Sequence, residues 1–307
     1  MNSYMDELVY NALEVLFGGR LITDVTDFLS NVMGAMTDVF NTNVGSMINV
    51  FIAIAGSLMT IYLFVDVMDK STKDMITLER LILILVKYFL AMLILIYLQE
   101  IITTLFNLAS GIYNMAKDNL YSSSAFNLEY FPDDGNPDPS QWPELDTIAD
   151  ALDDAGYGDG VTDLIRHFPT VIYCFLVTAG TFIARVAAYF LAIGNAIMLI
   201  ARTAFSPLGV VQLFDEGQRS AGIRYLKKLA AEALTFAVIV GILYAASLLQ
   251  VNLMEYALDD VIDGVVSVAA IPDIFKIENL AAILIIQLAA VGGMFKAGQL
   301  ANDIVGA

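Results

Sequence analysis

The chain has 307 residues, of which 58% are hydrophobic and 16% charged, with a mean hydropathy of +0.70. A soluble domain is nearer about 45–50% apolar and roughly 25% charged, so this composition excludes an ordinary soluble globule and indicates an integral membrane protein. Fifteen basic residues against thirty-three acidic ones leave a net charge of −18, and the distribution of that charge is more informative than its sum. The lone cysteine, Cys174, excludes an intrachain disulfide and reads as a small buried hydrophobe within an apolar run. One histidine, His167, with no second His or Cys beside it, gives no reason to expect a metal site or any other cofactor.

Residues 1–17 contain no Lys or Arg. They lack the basic start of a signal peptide, so insertion is expected to run through internal helices. Residues 4–17 put Met5, Leu8, Val9, Ala12, Leu13 and Leu16 on one helical face. Residues 20–40 repeat the pattern with Leu21, Val25, Phe28, Leu29, Val32, Met36, Val39 and Phe40, and Gly18-Gly19 separates the two. Their polar faces are acidic. Residues 1–43 are therefore expected to be extracytoplasmic amphipathic helices packed on the membrane domain or a partner subunit, rather than on anionic lipid.

Residues 39–65 carry no charge, which exceeds the about 20 residues that a span requires. A short connector, 66–80, supplies Lys70, Lys73 and Arg80 before a second apolar run at 81–98, so 44–98 reads as two transmembrane helices. Lys87 interrupts the second run about 10 Å along the helix from Arg80. Two readings stand for it: snorkelling to the membrane surface, or pairing with Asp66 or Glu232.

Residues 99–167 form a polar region. Between 100 and 166 there are thirteen acidic residues and two basic ones, Lys117 and Arg166. The apolar spacing of 101–116 extends the second helix out of the membrane, and four prolines (Pro132, Pro137, Pro139, Pro143) predict an irregular loop after it. A short acidic helix is expected at 145–155. Asp153, Asp154, Asp159 and Asp163 lack the ligand order of a calcium loop and read as a solvated acidic surface.

Residues 168–201 hold one charge, Arg185. A single helix of that length would be about 51 Å long, against a hydrocarbon core of about 30 Å, so it tilts, projects or breaks, with Gly194-Asn195 the expected break. Gly180, Ala184, Ala188, Ala192 and Ala196 form a ridge of small residues that would let another helix approach closely, with Ala289, Gly293 and Ala297 a shorter counterpart. Arg185 lies near mid-span with no obvious carboxylate at its level. It either bonds Gln287 or helix carbonyls, or lines a pore or an intersubunit contact.

A basic connector, 202–228, follows with Arg202, Arg219, Arg224, Lys227 and Lys228. The fourth span is expected at 229–249, so 168–250 holds the third and fourth. An acidic extracytoplasmic segment covers 251–278. The fifth span, 279–301, carries Gln287 and Lys296 and leads into a tail ending at 307. The two short connectors hold eight Lys and Arg, whereas the N-terminal segment, the long loop and 250–278 together hold four. Short cytoplasmic loops carry the basic excess, so the N-terminus is expected outside, the C-terminus in the cytoplasm, and five helices between. The expected fold class is all-α, with about five transmembrane helices and amphipathic extracytoplasmic ones.

There is no phosphate-binding G-x-x-x-x-G-K-[ST], no H-E-x-x-H and no C-x-x-C, and no enzymatic activity is expected. The ionisable residues at membrane depth, Lys87, Arg185 and Lys296, are the candidate pore or intersubunit positions.

Arg202 closes a long span. Phe205-Ser206-Pro207-Leu208 follows, and Arg219-Ser220-Ala221-Gly222-Ile223-Arg224-Tyr225-Leu226-Lys227-Lys228 then enters the next span. This pattern, with the five-span topology, resembles the polytopic VirB/TrbL-type inner-membrane subunit of type IV secretion and conjugation systems. The best-matched part covers 168–249. The resemblance implies a homo-oligomeric conduit or scaffold in the lipid bilayer of the cell membrane. Its implied partners are cytoplasmic ATPases, pilin or minor pilin-like proteins, and DNA or protein as transiting substrate. It makes Arg202, Pro207, Arg219, Arg224, Lys227 and Lys228 a cytoplasmic docking surface. The acidic loop departs from what DNA contact would need, since carboxylates repel phosphates. A secondary transporter or ion channel is the alternative, although no internal repeat is evident and an odd span count does not divide into halves.

Overall fold

The structure is a computed structural model that describes residues 11–12, 20–73, 78–122, 168–213, 221–257, 261–262, 265–266 and 277–307. The expectations for the helix at 4–17, the Gly18-Gly19 break, the proline-rich loop, the helix at 145–155 and Arg219 fall wholly or mostly outside those residues. The described chain is helical apart from one two-residue antiparallel pairing, β1 (Val261–Ile262) with β2 (Val265–Val266).

Helix α1 (Arg20–Val39) runs through a π-helical turn, Phe40–Val44, into α2 (Gly45–Lys73). Next come α3 (Leu78–Ile96), α4 (Leu98–Ser122), α5 (Phe168–Ala204), α6 (Ser206–Val211) and α7 (Ala221–Ala257). Helices α8 (Ile277–Phe295) and α9 (Ala297–Val305) complete the order. Three stretches are long and apolar enough to cross a membrane: Asp24–Thr72, Val171–Ala204 and Ala221–Gln250. Two bent pairs, Leu81–Ile96 with Leu98–Asp118 and Ala281–Phe295 with Ala297–Val305, bring the number to five if each pair is one crossing.

The helix runs on through the 43/44 boundary. Gly45 keeps right-handed helical angles (φ −57°, ψ −39°) and its N–H bonds the Phe40 carbonyl, so one wide turn absorbs an extra residue without interrupting the chain. Two expectations need correction. The break expected at Gly194-Asn195 does not occur, because the Asn195 amide reaches sideways to the Glu232 carbonyl (2.9 Å) instead of competing for its own backbone. The second and fifth apolar runs are not straight. The second bends by 59° at Tyr97, where N–H bonds from Tyr97 to Leu93 and from Ile101 to Tyr97 still bridge the bend. The fifth bends by 51° at Lys296, just after Gly292-Gly293, where the Lys296 N–H turns tightly onto the Gly293 carbonyl (2.9 Å).

The chain packs as two compact units. The first takes the described residues within Met1–Phe28, Ala116–Leu191 and Ile239–Lys296. Its buried residues include Val25, Cys174, Val177, Ala184, Ala188, Ile239, Val240 and Ile283. The second takes those within Leu29–Met115, Ala192–Val238 and Ala297–Ala307. Here α2 packs on α3 and α6, with the Phe51 and Phe205 rings 5.0 Å apart and the Thr60 and Tyr88 hydroxyls 3.2 Å apart. Of the face expected on α1, Val25, Leu29, Met36 and Phe40 are buried and Phe28 and Val32 half-buried, whereas Val39 is exposed and Met33, outside that expected face, is buried.

The outward faces are apolar, the reverse of a soluble helix. On α2 they carry Val50, Ile54, Ile61 and Phe64, on α3 Val86, Phe89, Leu90 and Leu93, and on α5 Phe175, Phe182 and Phe190. Hydroxyls on these helices bond back into their own turn, as Ser57 does to Ala53, Thr60 to Gly56, Thr178 to Cys174 and Thr181 to Val177. A hydroxyl satisfied in this way needs no water, which suits a helix in an apolar surrounding.

Candidate functional site

Two polar clusters stand out among the described residues, each inside one unit. In the second unit, α5 ends with Arg202, whose Nη1 lies 3.0 Å from Oε1 of Glu232 on α7. Lys228, one turn earlier on α7, also acts on that carboxylate, so Glu232 faces two cations. The Tyr225 hydroxyl donates to the Arg202 carbonyl, and the Asn195 amide donates to the Glu232 carbonyl (2.9 Å). Backbone and side-chain bonds thus tie the last turns of α5 to the first turns of α7.

The Ser-Pro segment completes this cluster. Phe205 is the N-cap of α6, and Pro207 stands in its first turn, where a missing N–H costs nothing. Ser206, Pro207, Gly209, Val210 and Val211 are buried, and the Ser206 hydroxyl donates to the Thr203 carbonyl (2.7 Å). Gly209 is required by space: a Cβ there would lie 2.7 Å from the Tyr225 ring. Gly222 is as confined, with the Leu213 nitrogen 2.8 Å and the Gly209 carbonyl 2.9 Å from a built Cβ.

The expected docking surface is therefore split. Arg224 and Lys228 are exposed. Lys227 donates to the Gly306 carbonyl (3.0 Å), which follows α9 in a left-handed conformation (φ 67°). Arg202, whose side chain is 31% exposed, is paired with Glu232, and Pro207 is buried in the packing of its unit.

The first unit holds the Arg185 cluster. Nη2 of Arg185 lies 2.8 Å from Oδ2 of Asp24 on α1. Phe28, one turn beyond Asp24, stacks on Tyr189, one turn beyond Arg185, with ring centroids 3.9 Å apart. Asp27 pairs with Lys117 of α4 at 3.1 Å. The expectation that no carboxylate reaches Arg185 is corrected: its partner comes from the N-terminal amphipathic helix, more than 150 residues away in sequence. That separation is why spacing within the span gave no hint of it.

Gln287 is buried on α8, with its Oε1 3.4 Å from a Cβ built on Gly180 and Leu284 Cδ1 at 3.0 Å. Gly180 thus marks a close approach of α8 to α5. Ala184, Ala188, Ala192 and Ala196 are all buried, as a packing seam requires. Of the shorter counterpart, Gly293 packs on Ile242 (3.0 Å from a built Cβ) and Ala297 is buried, whereas Ala289 is exposed. Among the described residues, four buried polar atoms lack a hydrogen-bond partner: Arg185 Nε, Gln287 Oε1, Thr203 Oγ1 and Glu232 Oε2. An unmet polar atom costs about 1–3 kcal/mol, so the four mark the sites where a bound water or a local shift gains most.

Lys87 is exposed on α3 and pairs with neither expected carboxylate, since Asp66 is held by Lys70 (3.0 Å) and Glu232 by Arg202. Lys296 is also exposed, at the bend between α8 and α9 rather than within a straight helix. No group of three His, Cys, Asp or Glu able to hold a metal occurs among the described residues. The arrangement neutralises charge within apolar helices and locks helix pairs together. Comparisons with protein-family models, with curated proteins and with solved structures return no match.

Proposed function

We propose that this chain is a multi-pass cell-membrane subunit of a type IV secretion or conjugation machine. In this reading it oligomerises around the path of a DNA or protein substrate and docks the channel, pilus and ATPase components. Its N-terminus is outside, its C-terminus is cytoplasmic, and it acts as conduit and scaffold rather than as a catalyst. The observation that carries the reading is the segment 202–228. Its Arg, Ser-Pro and basic-run pattern resembles that family, and the described parts of the segment, 202–213 and 221–228, join α5, α6 and α7 around Arg202, Tyr225 and the neighbouring Glu232. The apolar outward faces of α2, α3 and α5 support a bilayer as the surrounding medium. The exposed cations Arg224 and Lys228 support a cytoplasmic location for the joint.

Deletion of the gene in its own host, with complementation, tests the reading. Loss of conjugative DNA transfer or of protein secretion, restored by the intact gene, is the expected result. Unchanged transfer and secretion in the deletion strain, with solute or ion flux in liposomes holding the purified protein, would replace the conduit by a transporter.

A further inference from the structure

A cavity of about 410 Å³ opens within the second unit between α1 and α4. One wall is Ser30, Met33, Gly34, Met36, Thr37 and Asp38, and the other includes Phe106, Asn107, Ser110, Tyr113 and Asn114. Its volume is in the range of small-molecule sites, about 300–1,000 Å³, and its lining mixes apolar walls with a few convergent polar groups as such sites do. It is not the seam of two packed helices. Gly34 has nothing within 4 Å of an added Cβ, so the space beside it is open.

The lining has a definite chemical sense. It contains one formal charge, the Asp38 carboxylate, and no Lys, Arg or His. Among the described residues Asp38 makes no ion pair. Its recorded hydrogen bond is at its backbone carbonyl, which accepts from the Thr42 hydroxyl (2.7 Å). The aromatic residues Phe106 and Tyr113 are buried in the wall opposite, Phe106 held edge-to-face by Phe40 with centroids 5.3 Å apart. A carboxylate at the rim, aromatic rings in the wall and thioethers from Met33 and Met36 suit a cation that carries apolar surface. An anion would meet Asp38 unopposed. We propose that this cavity binds an organic ammonium group, with Asp38 countering the charge and the part of Phe106 that lines the cavity receiving its alkyl or aryl face. A membrane lipid headgroup and a free amine share that chemistry.

The probe is benzyltrimethylammonium, titrated calorimetrically into the purified full chain in maltoside detergent, with neutral neopentylbenzene as its isostere. Saturable binding of the cation is expected, with at least about tenfold weaker binding of the isostere and a similar loss in Asp38→Asn. Gly34→Leu should abolish binding, because its side chain enters the cavity without a backbone clash. Gly56→Leu, also at an open glycine but outside the cavity, should bind as the parent does. Elution profile and helicity establish that each variant is folded. Equal binding of the neutral isostere, or unaltered binding by folded Gly34→Leu or Asp38→Asn, overturns the proposal. In nanodiscs, competition by phosphatidylethanolamine but not phosphatidylglycerol assigns the natural ligand to a headgroup. Unchanged probe affinity in both assigns it to a free amine.

Discussion

Glu232→Gln is the most informative single perturbation of the joint between α5 and α7. The carboxylate is 15% exposed and its Arg202 partner 31%, so the pair lies between the surface and buried limits. Removing one member of a fully buried pair costs about 3–5 kcal/mol, whereas an exposed pair contributes about 0–1 kcal/mol, which puts this loss near 2 kcal/mol. At roughly 2–4 °C per kcal/mol the unfolding midpoint in detergent should fall by about 4–8 °C. The two ends of the pair should not be equivalent. Glu232→Gln leaves Arg202 and Lys228 facing each other, whereas Arg202→Met leaves the carboxylate with Lys228 still acting on it. Arg202→Met should therefore cost about half as much, and the double variant should be milder than the sum by about 1 kcal/mol or more. Thermal unfolding of the four proteins in one detergent closes the cycle. Strict additivity, or a larger loss for Arg202→Met than for Glu232→Gln, would refute the assignment of Glu232 as the carboxylate shared by two cations.

Gly194→Ala tests the unbroken α5: a continuous helix gains about 0.5–1 kcal/mol from the better helix former, since nothing lies within 4 Å of the new methyl, and a lower midpoint would contradict continuity. Gly209→Ala should instead destabilise by about 1–3 kcal/mol through overlap with Tyr225, measured in the same unfolding experiment, with Tyr225→Leu relieving part of the loss. Cys174 is fully buried, so maleimide should label it only after denaturation, and rapid labelling of the folded protein would displace α5 from its described packing. Asp24→Asn and Arg185→Gln should have similar effects of about 1 kcal/mol or less, discounted for the 43% exposure of Asp24, and combining them should add little.

Much of the fold was legible because apolar length and helical periodicity are local properties. The buried stripe of α1, the long apolar runs and the seam from Gly180 to Ala196 all follow from spacing within one segment. What spacing did not reveal lies between segments. Asp24 is an unremarkable acidic residue until α1 sets it beside Arg185, and Glu232 reads as a span-edge carboxylate until Arg202 meets it. The two bends differ in how legible they were. Gly292-Gly293 before Lys296 was a visible signal, whereas Leu95-Ile96-Tyr97-Leu98 contains neither Gly nor Pro. The helical nature of α6 was also within reach, because a proline early in a segment flanked by apolar residues is a helix-start signal as well as a turn signal.

The two clusters together change what the cations in this chain signify. Lys87, Arg185 and Lys296 form one class in sequence, as charges interrupting apolar runs, yet they fall in three different settings. Arg185 is countered within the chain by Asp24. Lys87 is exposed on α3 beside Val86 and Phe89, where a four-carbon stem can carry the ammonium towards the membrane surface. Lys296 sits at a bend, where irregular backbone in a membrane requires protein or water nearby. If the chain oligomerises as proposed, a contact with a neighbouring copy is sought at Lys296 before Arg185. Crosslinking from Lys296→Cys to a neighbouring copy in the membrane, exceeding that from Phe190→Cys on the exposed face of α5, is the expected outcome. Equal crosslinking at both positions would remove Lys296 from the subunit interface and leave its charge to the lipid surface.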